Sequence, residues 1–257
     1  MRVTILGCGG SHGVPMIGND WGRCDPANPR NERRRASILV EQGDTHILVD
    51  TSPDLRAQLL GAQVRWLDAV LYTHAHADHT HGIDDLRSMN SIMGRDIPIY
   101  ADRETLESLM VRFSYCFRAL SHAFYYKPVL LPHRIEGPWR IGDLLIRPFA
   151  QDHGYTTSQG FRFGNFAYST DVVNFDDKAW AVLAGIDTWI VDCVRLEPEH
   201  PVHAHLPKVL DWVERLRPRR TILTHMNQTM DYAQVSAILP RGIEVGYDNM
   251  VLEVPLT

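Results

Sequence analysis

Cysteines are few in this chain and are widely separated. The four of them are Cys8, Cys24, Cys116 and Cys193, and no two form a CxxC pair. This spacing excludes the usual cysteine motifs for structural zinc. A framework of disulfides is also unnecessary at 257 residues, so reduced thiols are expected.

Long hydrophobic runs are absent as well. No apolar run approaches the roughly 18 residues of a membrane span, and the start, MRVTILGCGG, lacks the pattern of a signal peptide. We therefore expect a cytoplasmic protein that has no membrane partner.

The chain has no excess of positive charge. It contains 26 Lys and Arg residues against 31 Asp and Glu residues, a net charge of −5. This balance provides no general attraction to nucleic acid, so no large nucleic acid is expected as a partner. An anionic ligand must instead be bound by a local group of donors or by a metal.

Linker-like tracts and internal repeats are also missing. Hydrophobic residues make up 44% of the sequence and charged residues 22%, which is ordinary for a globular protein. We expect one domain over residues 1–257, with a core of normal size.

The most informative stretch is VLYTHAHADHTHG, residues 70–82. A short buried strand precedes a cluster of ionisable side chains: His74, His76, Asp78, His79 and His81. So many groups cannot each be buried singly, because each would need a partner. Imidazole and carboxylate are natural ligands of divalent metals. The spacing favours two metal sites side by side, and an exposed histidine cluster or tag-like tract is the alternative.

Three further donors follow later strands. His153, Asp171 and His225 each come after a short apolar segment. Together with His74, His76, Asp78 and His79 they provide seven donors, enough for two metals that share one water. Because an enzyme fold brings the ends of several strands together, we expect these side chains to meet.

The coarse pattern predicts alternating strands and helices. Predicted strands cover Val3–Leu6, Ser37–Val40, His46–Val49, Ala69–Thr73, Ile97–Tyr100, Leu144–Phe149, Gly160–Phe163, Phe166–Ser169, Asp187–Val191 and Arg220–Thr224. Predicted helices cover Asp54–Leu60, with Ser52 as its cap, and Gly82–Met93, Glu104–Phe124 and Pro207–Leu216.

Two polar segments near the start have an open interpretation. The loop at residues 7–13, GCGGSHG, either approaches an anion closely or is a plain tight turn. The run of Arg30, Arg33, Arg34 and Arg35 is either a solvated face or a source of contacts to a substrate phosphate.

The segment Thr73–His79 reads THAHADH, and with the later His, Asp and His it resembles the THxHxDH pattern of the metallo-β-lactamase superfamily. The resemblance implies an α+β fold, the αββα sandwich of two packed mixed sheets with helices outside. It also implies that His74, His76 and His153 hold one metal. By the same likeness Asp78, His79 and His225 hold the second, and Asp171 bridges both.

Within the superfamily the chain looks most like the phosphodiesterases of the carbon–phosphorus lyase pathway, relatives of tRNA 3′-processing nucleases. The likeness rests on residues 7–15, 203–206, 223–225 and 242–248. One departure concerns the structural zinc of those phosphodiesterases. Cys24 is the only cysteine in its loop, and Gln228 stands where a further histidine would be. We therefore predict no structural zinc beside Cys24.

The resemblance implies a hydrolase of a small phosphodiester, cyclic or nucleotide-like, with two zinc or manganese ions. The alternatives are a thioester or other acyl hydrolase on the same metals, and a non-catalytic metal-dependent binder in cofactor biosynthesis. A homodimer is also expected from the likeness. By resemblance His203 is the general acid, although His205 could take that role, and Asp78 is included among the catalytic side chains.

Overall fold

Two seven-stranded mixed sheets form the centre of the computed structural model, which describes residues 1–120 and 124–255. The strands are β1 (Arg2–Gly7), β2 (Ser37–Gln42), β3 (Thr45–Val49), β4 (Ala69–Leu71), β5 (Ile97–Ala101), β6 (Leu130–Arg134), β7 (Trp139–Ile141), β8 (Leu144–Asp152), β9 (Thr157–Phe163), β10 (Phe166–Ser169), β11 (Thr188–Asp192), β12 (Arg220–Thr224), β13 (Ile243–Val245) and β14 (Val251–Glu253). The first sheet has the order β14-β1-β2-β3-β4-β5-β6, and the second has the order β13-β12-β11-β10-β9-β8-β7.

Alternation of side chains along the strands explains why the sheets stack. In β2, Ile38 and Val40 face the core between the sheets, while Leu39 faces the layer outside. Successive side chains of a strand point to opposite faces of the sheet. Both faces of a sheet are therefore buried only when another layer packs against each of them. The inner layer also contains Phe161 and Phe163 of β9, from the opposite sheet.

Helices cover the outer faces and complete the αββα sandwich. They are α1 (Leu55–Gly61), α2 (Ala77–Thr80), α3 (Leu86–Met93), α4 (Arg103–Arg112), α5 (Asp177–Leu183), α6 (Leu206–Leu216) and α7 (Tyr232–Ile238). The predicted fold class, α+β with two packed mixed sheets and helices outside, is confirmed. Among the residues that the structure describes, no helix is long and apolar enough to cross a membrane.

Three predicted helices have different bounds. The helix predicted for Glu104–Phe124 ends at Arg112, and a short 3-10 helix follows over Ser114–Phe117. Residues 121–123 of that prediction lie outside the described part of the chain. Aromatic residues are weak helix formers, and Phe113 instead packs edge-on against His81 at a ring distance of 5.6 Å.

The other two differences lie at helix starts. Helix α1 begins at Leu55 with Asp54 before it, and the Ser52 hydroxyl accepts a hydrogen bond from the Asp54 N–H instead of capping the helix. The predicted helix Gly82–Met93 begins as a 3-10 turn, Ile83–Asp85, and becomes α-helical at Leu86.

One member of the arginine run is part of the core. Arg33 is 2% exposed, and its guanidinium donates hydrogen bonds to the carbonyls of Met230 at 2.6 Å and Asn227 at 3.4 Å. It also reaches the Cys24 sulfur at 3.8 Å. The thiol of Cys24 donates to the carbonyl of Gln228 at 3.5 Å. A cationic side chain therefore lies beside Cys24, and the absence of a structural zinc here stays a prediction.

We predict that Arg33→Met lowers the free energy of unfolding by about 2–4 kcal/mol, because the buried carbonyl of Met230 loses its charged donor. Chemical denaturation followed by tryptophan fluorescence measures the change. Arg103→Met is the control, since Arg103 is exposed and forms an exposed ion pair with Glu107. Equal stability of the Arg33 variant and the wild type would contradict a structural role for this arginine.

Candidate metal centre

Polar side chains gather where several strands end at one edge of the sandwich. The strands β3 and β4 run parallel, as do β10, β11 and β12. The carboxyl ends of parallel neighbours lie at the same edge. Residues at or within two positions after the ends of these strands therefore meet although they are far apart in sequence: Asp50, the segment 73–79, Asp171, Asp192 and His225.

The first donor group contains His74, His76, His153 and Asp171, whose ligand atoms lie within 4.8 Å of one another. The Nε2 atom of His74 is 2.8 Å from Nδ1 of His76, and Nε2 of His153 is 3.4 Å from the same atom. Oδ1 of Asp171 is 3.8 Å from Nε2 of His74 and 3.6 Å from Nε2 of His153.

The second donor group contains Asp78, His79, His225 and again Asp171. Here Oδ2 of Asp171 is 3.0 Å from Nε2 of His79 and 3.4 Å from Nε2 of His225. Oδ2 of Asp78 is 3.4 Å from Nε2 of His79 and 3.5 Å from Nε2 of His225. Each oxygen of Asp171 thus faces a different group.

These groups fit divalent metals. Ligands of a tetrahedral zinc ion lie about 3.3–3.6 Å from one another, given the usual metal–ligand lengths. The Nε2 atoms of His79 and His225 are buried and make no hydrogen bond to any residue that the structure describes. Such orphaned nitrogens are costly unless a ligand satisfies them. Seven residues that sequence analysis predicted as ligands are brought together in the two groups: His74, His76, Asp78, His79, His153, Asp171 and His225.

Burial keeps two of the histidines in the state that metals bind. Burial lowers the pKa of His153 and lowers that of His74 far below its ordinary value. Both imidazoles are therefore neutral at physiological pH, as metal coordination requires. Burial opposes ionisation of Asp171, but His225 and then His79 hold its pKa well below the usual range.

The backbone at this edge adopts an unusual conformation. Asp50, Asp171 and His225 have φ angles of 64°, 54° and 57°, in the left-handed region that non-glycine residues avoid. Strained backbone persists where the surrounding structure determines it, and it is frequent at functional sites. Here the turn directly after each strand aims the side chain at the centre.

Asp50 is a site residue to which sequence analysis assigned no role. Its Oδ2 atom accepts a hydrogen bond from Nδ1 of His79 at 2.7 Å and from the Thr73 hydroxyl at 2.8 Å. The same hydroxyl lies 3.0 Å from Nδ1 of His74. Asp50 therefore orients ligands of both groups, as a carboxylate behind a metal-binding histidine does. In the sequence, the signal that could have indicated this role is a single acidic residue directly after a predicted strand.

Asp192 is the second such residue. Its Oδ2 atom accepts from Nδ1 of His203 at 2.9 Å and from the N–H of Val172 at 3.0 Å. Burial lowers the pKa of His203, but the charge of Asp192 outweighs it and raises this pKa to about 9. His203 stacks on the His225 ring at 4.7 Å, so the predicted general acid lies against the second donor group.

His205 lies elsewhere. It precedes helix α6, and its backbone pairs with Arg195. Among the described residues it belongs to none of the groups that could hold a metal. Of the two candidate acids, the structure brings only His203 against the candidate ligands.

A cavity of about 470 Å³ opens beside His203 and His225. The glycine-rich loop forms one wall through residues 10–13, and Asn227 and Gln228 form another. A Cβ atom at Gly10 would lie 3.3 Å from the carbonyl oxygen of His225, so a glycine permits the close approach. No member of the arginine run Arg30–Arg35 is among the described residues that line this cavity.

Residues 45–226 match the family description "Beta-lactamase superfamily domain". The chain belongs to the metallo-β-lactamase superfamily. The recognition made from the HxHxDH motif is therefore confirmed, and hydrolysis is the usual activity of this fold.

Three relatives show how the similarity is distributed. A solved structure described as a new diphosphatase from the PhnP family is 33% identical, with a TM-score of 0.90 over 99% of this chain and 98% of that one. An octanoyltransferase of Porphyromonas gingivalis is 31% identical over 97% of this chain and 51% of its own length. Ribonuclease Z of Treponema pallidum is 26% identical over 65% of this chain and 50% of that one. The chain spans about half the length of these two curated relatives.

We predict that Asp50→Asn weakens metal binding about 10- to 100-fold, because His79 loses the carboxylate that orients it. Competition with a chromogenic chelator measures both affinity and stoichiometry. Asp231→Asn is the matched control. Asp231 is also buried, but it accepts hydrogen bonds in the Arg33 region, from Asn31 at 2.7 Å. Equal losses in the two variants would argue that any buried aspartate has this effect.

Proposed function

We propose that the chain hydrolyses small phosphodiesters with the help of two divalent cations. The observation that carries this proposal is the position of Asp171, whose two oxygens face two separate groups of donors. A carboxylate that serves both groups suits a pair of cations a few ångströms apart. The relative from the PhnP family, named a diphosphatase, supports chemistry at phosphorus.

The donor types suggest which cations are held. His74, His76 and His153 would give the first cation three nitrogens, a set that suits zinc. Asp78 joins Asp171 in the second group, and two carboxylates also tolerate manganese. The chelator titration described above gives the stoichiometry, for which two equivalents per chain are expected.

When bound, a pair of cations lowers the pKa of a water between them and offsets charge on the phosphoryl oxygens. The protein contributes the surroundings. The loop at residues 10–13 brings backbone amides next to His225. Asp50 fixes His79, and the carbonyl of Val202 accepts a hydrogen bond from Nδ1 of His153 at 2.7 Å.

His203 is proposed as the general acid for the leaving group. Its Nδ1–H is bound by Asp192, so the proton available to a substrate is on Nε2. The ring lines the cavity, which puts that proton within reach of a bound ester. An expelled alkoxide needs such a donor, because its conjugate acid is very weak. His205, outside this cavity, has no comparable position.

A second candidate function is hydrolysis of an acyl ester or thioester. The octanoyltransferase relative favours it, since nearly all of this chain matches about half of that protein. The name describes the whole of that longer protein. A non-catalytic binder in cofactor biosynthesis is the remaining alternative, and a homodimer stays a prediction.

Turnover of paired chromogenic substrates tests the proposed function. Protein loaded with zinc or manganese is expected to hydrolyse bis(p-nitrophenyl) phosphate and to leave octanoyl thioesters intact. Asp171→Asn should abolish the activity, because both donor groups lose a ligand. Thioester cleavage without phosphodiester cleavage would instead favour the acyl hydrolase, and binding without any turnover would favour the carrier.

The leaving group reveals the role of His203. We predict that His203→Ala slows hydrolysis of an alkyl phosphodiester about 10²-fold or more, because the alkoxide then leaves unprotonated. An aryl ester with a good leaving group should be affected much less, with metal content unchanged. His205→Ala is the control and should retain both activities. Equal losses on the two esters would contradict the assignment of His203 as general acid.

A further inference from the structure

The hairpin of β8 and β9 contains a buried pair of polar side chains, Gln151 and Ser158. The two residues are directly opposite each other in the strand register, and they are 1% and 0% exposed. Gln151 follows the core residue Phe149 by two positions, so its side chain points to the same apolar core. The turn of this hairpin carries His153, a candidate ligand of the first donor group. Buried polar groups at this depth need hydrogen-bond partners.

The partners of this polar pair are two backbone carbonyls next to the side chain that faces both donor groups. The Ser158 hydroxyl donates to the carbonyl of Asp171 at 2.8 Å. Nε2 of Gln151 donates to the carbonyl of Thr170 at 2.9 Å and to Oγ of Ser158 at 2.9 Å. Oε1 of Gln151 is buried and has no hydrogen-bond partner among the described residues. The glutamine therefore acts through the hydrogen bonds that it donates.

Asp171 depends on such contacts because its own backbone is unfavourable. Its φ angle of 54° lies in the left-handed region, where a non-glycine residue stays only if its surroundings determine the conformation. The polar pair holds the carbonyls of Thr170 and Asp171, and the Thr170 hydroxyl donates to Oδ2 of Asp171 at 2.7 Å. These contacts fix the backbone from which the Asp171 side chain extends, and so the position of its two oxygens.

The same strand also holds the ligand segment of the opposite sheet. The N–H of Gln159 donates to the carbonyl of Thr73 at 2.8 Å, directly before the candidate ligand His74. Consecutive residues of β9, Ser158 and Gln159, therefore contact the backbone beside ligands from both sheets. The hairpin links the two ligand-bearing segments, and the polar pair is the part of this link that side-chain substitution can remove.

We infer that Gln151 and Ser158 are positioning residues of the metal centre. They fix Asp171 relative to His153, which lies in their own hairpin, and so allow one carboxylate to face both donor groups. Oδ1 of Asp171 is 3.6 Å from Nε2 of His153, a separation suited to two ligands of one ion. The inference rests on the proposed function, because it takes Asp171 to bridge two cations. It assigns to this pair the support that hydrogen-bonded groups behind metal ligands provide.

The substitution Gln151→Met tests the inference, because it keeps a side chain of similar length and removes both donated hydrogen bonds. We expect zinc affinity, measured by competition with a chromogenic chelator, to fall about 10- to 100-fold. Gln58→Met is the matched control. Gln58 is equally buried, and its Nε2 donates to the carbonyl of Arg35 at 2.8 Å, which is not adjacent to a candidate ligand in the sequence. Thermal unfolding of the metal-free proteins shows whether the two substitutions cost similar stability.

A second pair of variants keeps the inference testable if Gln151→Met does not fold. Ser158→Ala removes the hydroxyl that holds the Asp171 carbonyl. Ser169→Ala is its control, since Ser169 is also buried and its hydroxyl accepts a hydrogen bond from Nε1 of Trp189 at 3.0 Å. We expect the zinc affinity to fall in Ser158→Ala and to stay close to that of the wild type in Ser169→Ala.

Electron paramagnetic resonance of the manganese-loaded proteins gives a readout that a loss of stability alone would not change. Two Mn²⁺ ions that share a bridging carboxylate are magnetically coupled, whereas separated ions give the spectrum of isolated Mn²⁺. At equal content of bound metal, the wild type and the controls are expected to show the coupled pair. Gln151→Met and Ser158→Ala are expected to show a larger fraction of uncoupled ions, because Asp171 is no longer held between the two donor groups.

The inference and the proposed function fail in different ways. Zinc affinities and manganese spectra that are the same in the variants and their controls would overturn the positioning role, whether or not the protein is active. A single equivalent of metal in the wild type would overturn the two-cation proposal, and the zinc affinities of the four variants would still decide whether the polar pair positions the ligands. Two coupled ions without turnover of any phosphodiester would overturn the phosphodiesterase proposal alone.

Discussion

Asp171 places one carboxylate oxygen against each of two groups of buried histidines, and this contact constrains the surrounding strand ends. A buried carboxylate and orphaned imidazole nitrogens are unfavourable apart, because each has lost its water. Together they form two sets of donors at distances suited to divalent cations. Asp50, Asp171 and His225 have left-handed backbone conformations. These conformations turn the side chains towards the donor groups close to the ends of their strands.

Two buried aspartates, Asp50 and Asp192, accept hydrogen bonds from histidines of this centre and so orient them. Asp50 holds His79 and, through the Thr73 hydroxyl, His74. Asp192 holds His203, whose ring stacks on His225. Asp50 therefore orients candidate ligands, whereas Asp192 orients the candidate acid and also lies 3.9 Å from Nδ1 of the candidate ligand His225.

The arginine run at residues 30–35 makes contacts within the protein, although its charge also suggested contacts to a substrate phosphate. Arg33 is buried among carbonyls and beside Cys24, Arg34 lies near Asp248, and Arg35 pairs with Asp54. These contacts join the segment 33–35 to parts of the chain that are distant in sequence. None of these arginines is among the described residues that line the cavity beside His203.

Sequence alone predicted the seven candidate donors that the structure brings together, because HxHxDH and the later His, Asp and His are set by local spacing and by position after short apolar strands. The same motif indicated the superfamily and, through that resemblance, the αββα fold class, and both are confirmed. Short apolar runs likewise predicted ten of the fourteen strands, and β6, β7, β13 and β14 were not predicted. The end of the helix at Arg112, the contacts of Asp50 and Asp192, the burial of Arg33 and the position of His203, not His205, against the candidate ligands depended on the tertiary structure. Each is decided by contacts between residues distant in sequence, such as Phe113 with His81 and Asp192 with His203. Such contacts leave no periodic pattern, so only the packing of the two sheets could establish them.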